Sequence, residues 1–273
     1  MKKLFAAGIV SSLLFATPGL SATRLKLNAP WQGKTTIDIA VTDDNAARLV
    51  IENGKVMVIH DGGEEQLIID NITEKDLLFG QWGLHFDDFN MDGRQDFALD
   101  VSYGYGGVNV FSNIYIFNAK TGRFEHRLGD VSNIDMRAKS RELYTAQKSG
   151  PLYYSTIYRI DDGRLFKFKD STILLNGLEK ATVFDRAGTV VRELIFDDTD
   201  EKMVPAIRKI IPEKAWLYSA PNEKNRTRAY LIKGDEVSVL DVSGEWFDWY
   251  KIRYEGKKPL VRWVQGKDII ADE

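Results

Sequence analysis

Cysteine is absent from the 273 residues, and histidine occurs only three times. Without cysteine no disulfide can staple the fold, and no thiolate can serve as nucleophile or soft-metal ligand. The three histidines, His60, His85 and His126, lie in or beside strand-like segments. A lone strand histidine is far more often packed or solvated than catalytic. Neither G-x-S-x-G nor H-E-x-x-H occurs. Excess positive charge is also missing: 37 Lys and Arg stand against 40 Asp and Glu, a formal net charge of −3. Nucleic acid, which needs a basic face, is therefore not an expected partner. Glycosidase chemistry needs two facing carboxylates, and with so many acidic residues the sequence neither points to such a pair nor excludes one.

Long hydrophobic runs are missing too, apart from one near the start. Met1-Lys2-Lys3 precedes an apolar stretch from Leu4 to Ala16, followed by Pro18-Gly19-Leu20-Ser21-Ala22. A basic start, a short apolar run and small residues are the pattern of a secretory leader, with cleavage expected after Ala22. The run is too short for a spanning helix, and no Cys follows it to take a lipid. The expectation is an exported, periplasmic product that is more acidic still once Lys2 and Lys3 leave. In an oxidising compartment a chain without disulfides gains from any ion that binds only its folded form.

What is present is β pattern. Thr36–Val41, Arg48–Glu52, Lys55–His60 and Glu65–Ile69 alternate apolar and polar residues. Asn53-Gly54 and Asp61-Gly62-Gly63 supply turns between them. Further strands are expected at 97–101, 113–118, 123–125, 153–160, 165–169, 181–184 and 190–196. No segment of ten or more residues beyond the leader keeps a helical period. The expected class is all-β: a calcium-loop β-sandwich or meander domain over 23–204, then a small barrel over 205–273. The acidic stretch 197–202 marks the boundary; Asp197-Asp198-Thr199-Asp200 lacks the glycine and the alternate spacing of a metal loop.

One stretch does carry that spacing. Asp88-Phe89-Asn90-Met91-Asp92-Gly93-Arg94-Gln95-Asp96 reads D-x-N-x-D-G-x-x-D. Calcium takes roughly six to eight hard oxygen ligands, and short acidic side chains on alternate residues of a curled loop can supply them. Asp88, Asn90, Asp92, the carbonyl of Arg94 and Asp96 are the candidate ligands. An EF-hand would carry a bidentate Glu where this chain has Leu99, and the flanks 82–86 and 97–99 look like strands rather than helices. The other reading is an acidic β-turn without metal, because Asp, Asn and Gly are common turn residues. Any ion held here would act as a structural clip, with no open position for chemistry.

After the next strand comes Ser102-Tyr103-Gly104-Tyr105-Gly106-Gly107-Val108-Asn109. Tyr103, Gly104, Tyr105, Gly106, Gly107 and Asn109 form a candidate partner-binding loop, with glycines freeing the backbone and tyrosines offering amphipathic contact faces. Its nearness to the acidic loop suggests that an ion there holds it in place. The bland alternative is a bulged connection with its tyrosines folded onto the core.

Two resemblances follow from these residues. D-F-N-M-D-G-R-Q-D-F-A-L, Y-G-Y-G-G-V-N-V, I-Y-I-F-N-A-K-T-G-R-F and Y-R-I-D-D-G-R-L, spanning about residues 80–170, resemble a family of periplasmic calcium-loop β proteins. That family includes inhibitors of lysozyme-like peptidoglycan hydrolases, and its acidic loop is similar to the FG-GAP type. The resemblance implies Ca2+ on Asp88, Asn90, Asp92, Arg94 and Asp96, and a loop at Ser102–Asn109 that enters an enzyme's cleft. Residues 212–270 resemble a bacterial SH3-like domain through Leu217-Tyr218-Ser219-Ala220-Pro221, Lys233-Gly234-Asp235, Trp249–Tyr254 and Trp263-Val264. Arg262-Trp263 replaces the usual Gly-Trp. Trp216, Tyr218, Trp246, Trp249 and Trp263 are its candidate surface aromatics, although so small a barrel needs most of its large side chains for its core. These features imply a non-enzymatic protein that binds a peptidoglycan hydrolase as inhibitor or immunity factor, or an envelope module that binds peptidoglycan or a peptide through the SH3-like part.

Overall fold

In the computed structural model of the chain, residues 23–28, 34–42, 45–72, 81–174, 177–198, 202–244 and 247–269 are described. The leader expected at 1–22 and Trp246 lie outside them. The protein is all-β: the described residues form 21 strands in four sheets. It divides into two compact units, residues 1–147 with 158–166 and residues 148–157 with 167–273. The boundary expected at 204/205 falls inside the second of these.

The first unit is built on a five-stranded sheet in the order β1 (Thr23–Asn28), β6 (Gln81–Asp87), β7 (Asp96–Gly104), β8 (Asn109–Asn118), β9 (Arg123–Ser132). A four-stranded meander faces it: β2 (Lys34–Thr42), β3 (Asn45–Glu52), β4 (Lys55–Ile59) and β5 (Glu65–Ile69). Alternation decides which residues meet. Ile37, Ile39 and Val41, then Leu49 and Ile51, then Val56 and Val58 all point inward, onto Leu84, Phe86, Phe97, Leu99 and Phe124 of the larger sheet. The β3–β4 hairpin closes at Asn53 (φ 51°) and Gly54 (φ 73°), the two positive φ values that a type I′ turn requires. Phe97 is fully buried, with ring centroids 5.1 Å from Tyr115 and 4.8 Å from Phe124. Truncating such a residue to alanine costs about 3–5 kcal/mol.

The other face of the sheet is also covered. Ala98, Ile114, Ile116 and Val131 form a second core with Phe89 and Leu143. Strand β7 is therefore buried on both faces from Asp96 to Asp100, which gives a continuous run rather than an alternating one. Strands β10 (Asp135–Arg137), β11 (Glu142–Ser149), β12 (Leu152–Asp161), β13 (Arg164–Ile173), β14 (Leu178–Phe184) and β15 (Val190–Asp197) make a sheet in chain order.

In the second unit a six-stranded sheet has the order β16 (Ile207–Lys209), β19 (Glu236–Ser243), β20 (Trp249–Glu255), β21 (Pro259–Gln265), β17 (Ala215–Tyr218), β18 (Arg226–Leu231). Leu217, Leu231, Val237, Val239, Tyr250, Ile252 and Val264 share one core with Leu174, Leu178 and Ile195. That shared core explains why compactness does not divide the chain at the acidic stretch. Burial pushes the Tyr250 hydroxyl up to about 12.

Candidate metal centre and partner surfaces

The acidic loop connects β6 to β7. Met91 (φ 55°) and Gly93 (φ 85°) take left-handed backbone, and this turns the chain sharply enough for alternate side chains to face inward. Asp88 Oδ1 accepts the N–H of Asp92 at 3.0 Å, and Asp88 Oδ2 accepts that of Gly93 at 2.8 Å. Asn90 Oδ1 lies 3.3 Å from the same Asp92 N–H, so the Asp88 and Asn90 oxygens converge on one point. Asp92 Oδ1 accepts the N–H of Arg94 at 3.0 Å.

Asp96 is placed differently. It is fully buried, and its two oxygens accept N–H groups from separate parts of the chain, Phe89 at 3.0 Å and Phe117 at 2.8 Å. It thus pins the loop to the middle of the sheet. Burial pushes its carboxyl up to about 8, against the two N–H groups, and the negative charges of Asp88 and Asp92 push the same way. Burial raises Asp88 as well.

Among the described residues no three His, Cys, Asp or Glu groups form a cluster able to hold a metal. The two other donors expected here, the Asn90 amide and the Arg94 carbonyl, are of neither imidazole, thiol nor carboxylate type. The donor chemistry still suits a hard cation, since all five candidates offer oxygen. Asp96, buried and pushed up, is the carboxyl whose ionisation a divalent ion nearby would favour.

The proposed partner loop is shorter than the sequence suggested. Ser102, Tyr103 and Gly104 belong to β7, with Tyr103 opposite Val110 and Gly104 opposite Asn109. Only Tyr105 to Val108 reverse the chain. Asn109, expected at the binding surface, is buried at 3% exposure, because it opens β8. Tyr103 is half-buried, and its hydroxyl lies 3.4 Å from Asp100 Oδ2. Tyr105 and Val108 are each 51% exposed. Tyr105, Gly106 and Gly107 all have positive φ, at 52°, 65° and 90°. For tyrosine this is an uncommon conformation that its surroundings must hold.

Two residues that sequence reasoning missed brace this region, Asn133 beneath the turn and Asp100 in the middle of β7. Asn133 Oδ1 accepts the N–H of Val110 at 3.1 Å, and its Nδ2 donates to the carbonyls of Val108 (3.1 Å) and Ala146 (3.0 Å). Asp100, fully buried, accepts from Ser112 Oγ at 2.8 Å and lies 3.0 Å from His85 Nε2 through the same oxygen. Neither residue sits in a motif, so no sequence signal marks them.

The turn and the acidic loop lie at opposite ends of β7. Nine residues separate them, or about 25–30 Å at roughly 3.3 Å per residue. An ion in the loop therefore does not touch the turn, contrary to what closeness in sequence suggested.

No protein-family model and no curated protein matches the chain. A solved structure described as a Xanthomonas type IV secretion system related protein aligns with a TM-score of 0.44 and 12% identity, over 64% of this chain and 99% of that one. A likeness that faint carries no functional weight.

Of the second unit's candidate aromatics, Tyr218 and Trp249 are 6% and 7% exposed and pack edge to face at 4.8 Å. They are core residues and not surface ones, because β17 and β20 turn them inward. Trp216 and Trp263 are half-buried. Trp216 meets Tyr230 at 5.8 Å, and Lys214 Nζ lies 4.0 Å from both ring centres. Tyr230, not among the expected residues, is 49% exposed.

Proposed function

We propose that the chain is a non-enzymatic, calcium-binding protein of the cell envelope that recognises another protein through the Tyr105–Val108 turn, and that this partner is a peptidoglycan hydrolase which it inhibits. The observation that carries the reading is the turn: two large side chains exposed at a hairpin tip, on a backbone locked from below by Asn133. A rigid aromatic projection loses little freedom on docking, which favours binding. The oxygens of Asp88, Asn90, Asp92, Arg94 and Asp96 would hold Ca2+. Bound there, the ion supplies structural clamping and no chemistry. The chain's own Asp96 extends that clamp to β8 through the N–H of Phe117. The test is inhibition of a lysozyme-like hydrolase acting on purified peptidoglycan, alongside capture of partners from an envelope extract. The expected result is slowed lysis, with Tyr105→Ala weakening the complex at least about tenfold, as for a central aromatic anchor. No inhibition and no captured hydrolase would sink the reading.

The second reading, an envelope module acting through the SH3-like part, is favoured by the Trp216–Tyr230 pair. An exposed aromatic edge flanked by Lys214 suits a sugar or peptide face. Incubation with purified sacculi separates the two readings: pelleting lost in Tyr230→Ala but kept in Tyr105→Ala favours the module.

A further inference from the structure

Beside the acidic loop the first unit has a cleft of about 660 Å³, lined by Lys120, Arg127, Arg141 and Arg164 among others. These four cations come from separate places in the fold: the β8–β9 turn, strand β9, the turn before β11, and the first residue of β13. Among the described residues none of them pairs with a carboxylate, whereas elsewhere surface pairs are common, as in Arg48 with Asp38 at 3.0 Å and Lys55 with Asp70 at 2.8 Å. The acids lining the same cleft are Asp92, Glu125 and Asp162. Asp92 is engaged by the Arg94 N–H and by Asn90 Nδ2 at 3.1 Å, and Glu125 by Asn118 Nδ2 at 2.6 Å. Asp92 is also paired with Arg94, whose Nη1 lies 3.5 Å from Asp92 Oδ2, whereas Glu125 keeps its charge, so Glu125 and Asp162 at the exposed β12–β13 turn stand against the four cations. Arg141 is also held in place, with its Nε 3.4 Å from the Ile160 carbonyl and its own carbonyl accepting the Ile160 N–H at 3.0 Å.

From this arrangement we infer that the cleft binds an anionic ligand that presents carboxylate or phosphate oxygens. Arginine forks match either group by paired N–H donation, and the volume lies within the range of small-ligand sites, about 300–1,000 Å³. This site stands apart from the Tyr105 turn, though it shares Asn90 and Asp92 with the acidic loop.

The test is isothermal titration of the full chain, in chelator and at low salt, with tetraglutamate and separately with pyrophosphate. At least one probe is expected to bind, and the preferred probe tells carboxylate from phosphate. The double variant Arg127→Ala/Arg164→Ala should weaken that binding at least about tenfold, the size of one lost charge-assisted hydrogen bond. Arg253→Ala, a surface arginine outside the cleft, should leave it within about twofold. Both altered side chains of the double variant are exposed, so an unchanged melting temperature is expected to certify its fold. Binding of neither probe would overturn the inference. So would equal loss in the Arg253→Ala control, which would mean diffuse electrostatics, or undiminished binding in the double variant.

Discussion

The two ends of strand β7 are built on opposite principles. At its start Asp96 is buried and accepts two backbone N–H groups, and around it lie acidic side chains folded onto their own loop. At its end the backbone takes positive φ at Tyr105, Gly106 and Gly107, and Tyr105 and Val108 are each about half exposed. Between them Asp100 gathers His85, Ser112 and Tyr103 around one buried carboxylate. The lesson is a division of labour along one strand: the polar groups at the start tie the loop into the sheet, and those at the end brace a turn whose Tyr105 and Val108 stay half exposed.

The sharpest way to break this contrast is Asp96→Ala. It removes the acceptor of two buried N–H groups, each worth about 1–3 kcal/mol, partly offset because a buried carboxyl no longer needs desolvating. We expect urea unfolding to show a loss of about 2–4 kcal/mol. A second test is pH. The folded pKa of Asp96, about 8, lies above its unfolded value near 3.8. The folded state therefore holds its proton more tightly, and in chelator stability should fall as pH climbs from about 4 to about 8, then level off. Melting curves that rise across that window would contradict the assignment. Third, Ca2+ at one hundred times its dissociation constant should raise unfolding free energy by about 2.7 kcal/mol. Differential scanning calorimetry should register this in the native chain and not in Asp88→Ala/Asp92→Ala. A chain that melts identically with ion and with chelator would leave the start of β7 a plain acidic turn.

Between the two ends lies Gly83, whose added Cβ would fall 1.7 Å from Asp100 Oδ2. Gly83→Ala must displace that carboxylate, and a loss of about 1–3 kcal/mol is expected, as for other overpacked sites. The smallest effect belongs to the exposed end. Tyr105→Ala should change stability by less than about 0.5 kcal/mol while weakening partner capture. A large stability loss there would mean that the tyrosine braces the fold and does not serve as a contact.

Much of the fold was legible because alternation and turn chemistry are local. The hairpin at Asn53-Gly54, the inward set Ile37, Ile39, Leu49 and Val56, and most strands after 97 follow from period and glycine placement alone. Strand β11 was not legible: in Glu142–Ser149 only Leu143 and Thr145 face inward and are buried, too weak a signal to separate from a loop. The length of the Gly/Tyr loop was misjudged for the converse reason, since glycines between tyrosines read as irregular even where Gly104 pairs in a ladder. Tyr218 and Trp249 show how an aromatic motif cannot declare which way it faces.

By itself the sequence determined the all-β class, the oxygen-rich loop and the aromatic turn, because each depends on residues within a few positions of one another. Only the tertiary structure decided that Ser102–Gly104 pair in the ladder, that Asp96 reaches Phe117, and that four cations from four segments line one cleft. Those facts depend on which strands pair and in what register, and pairing partners lie tens of residues apart, where no local pattern can specify them.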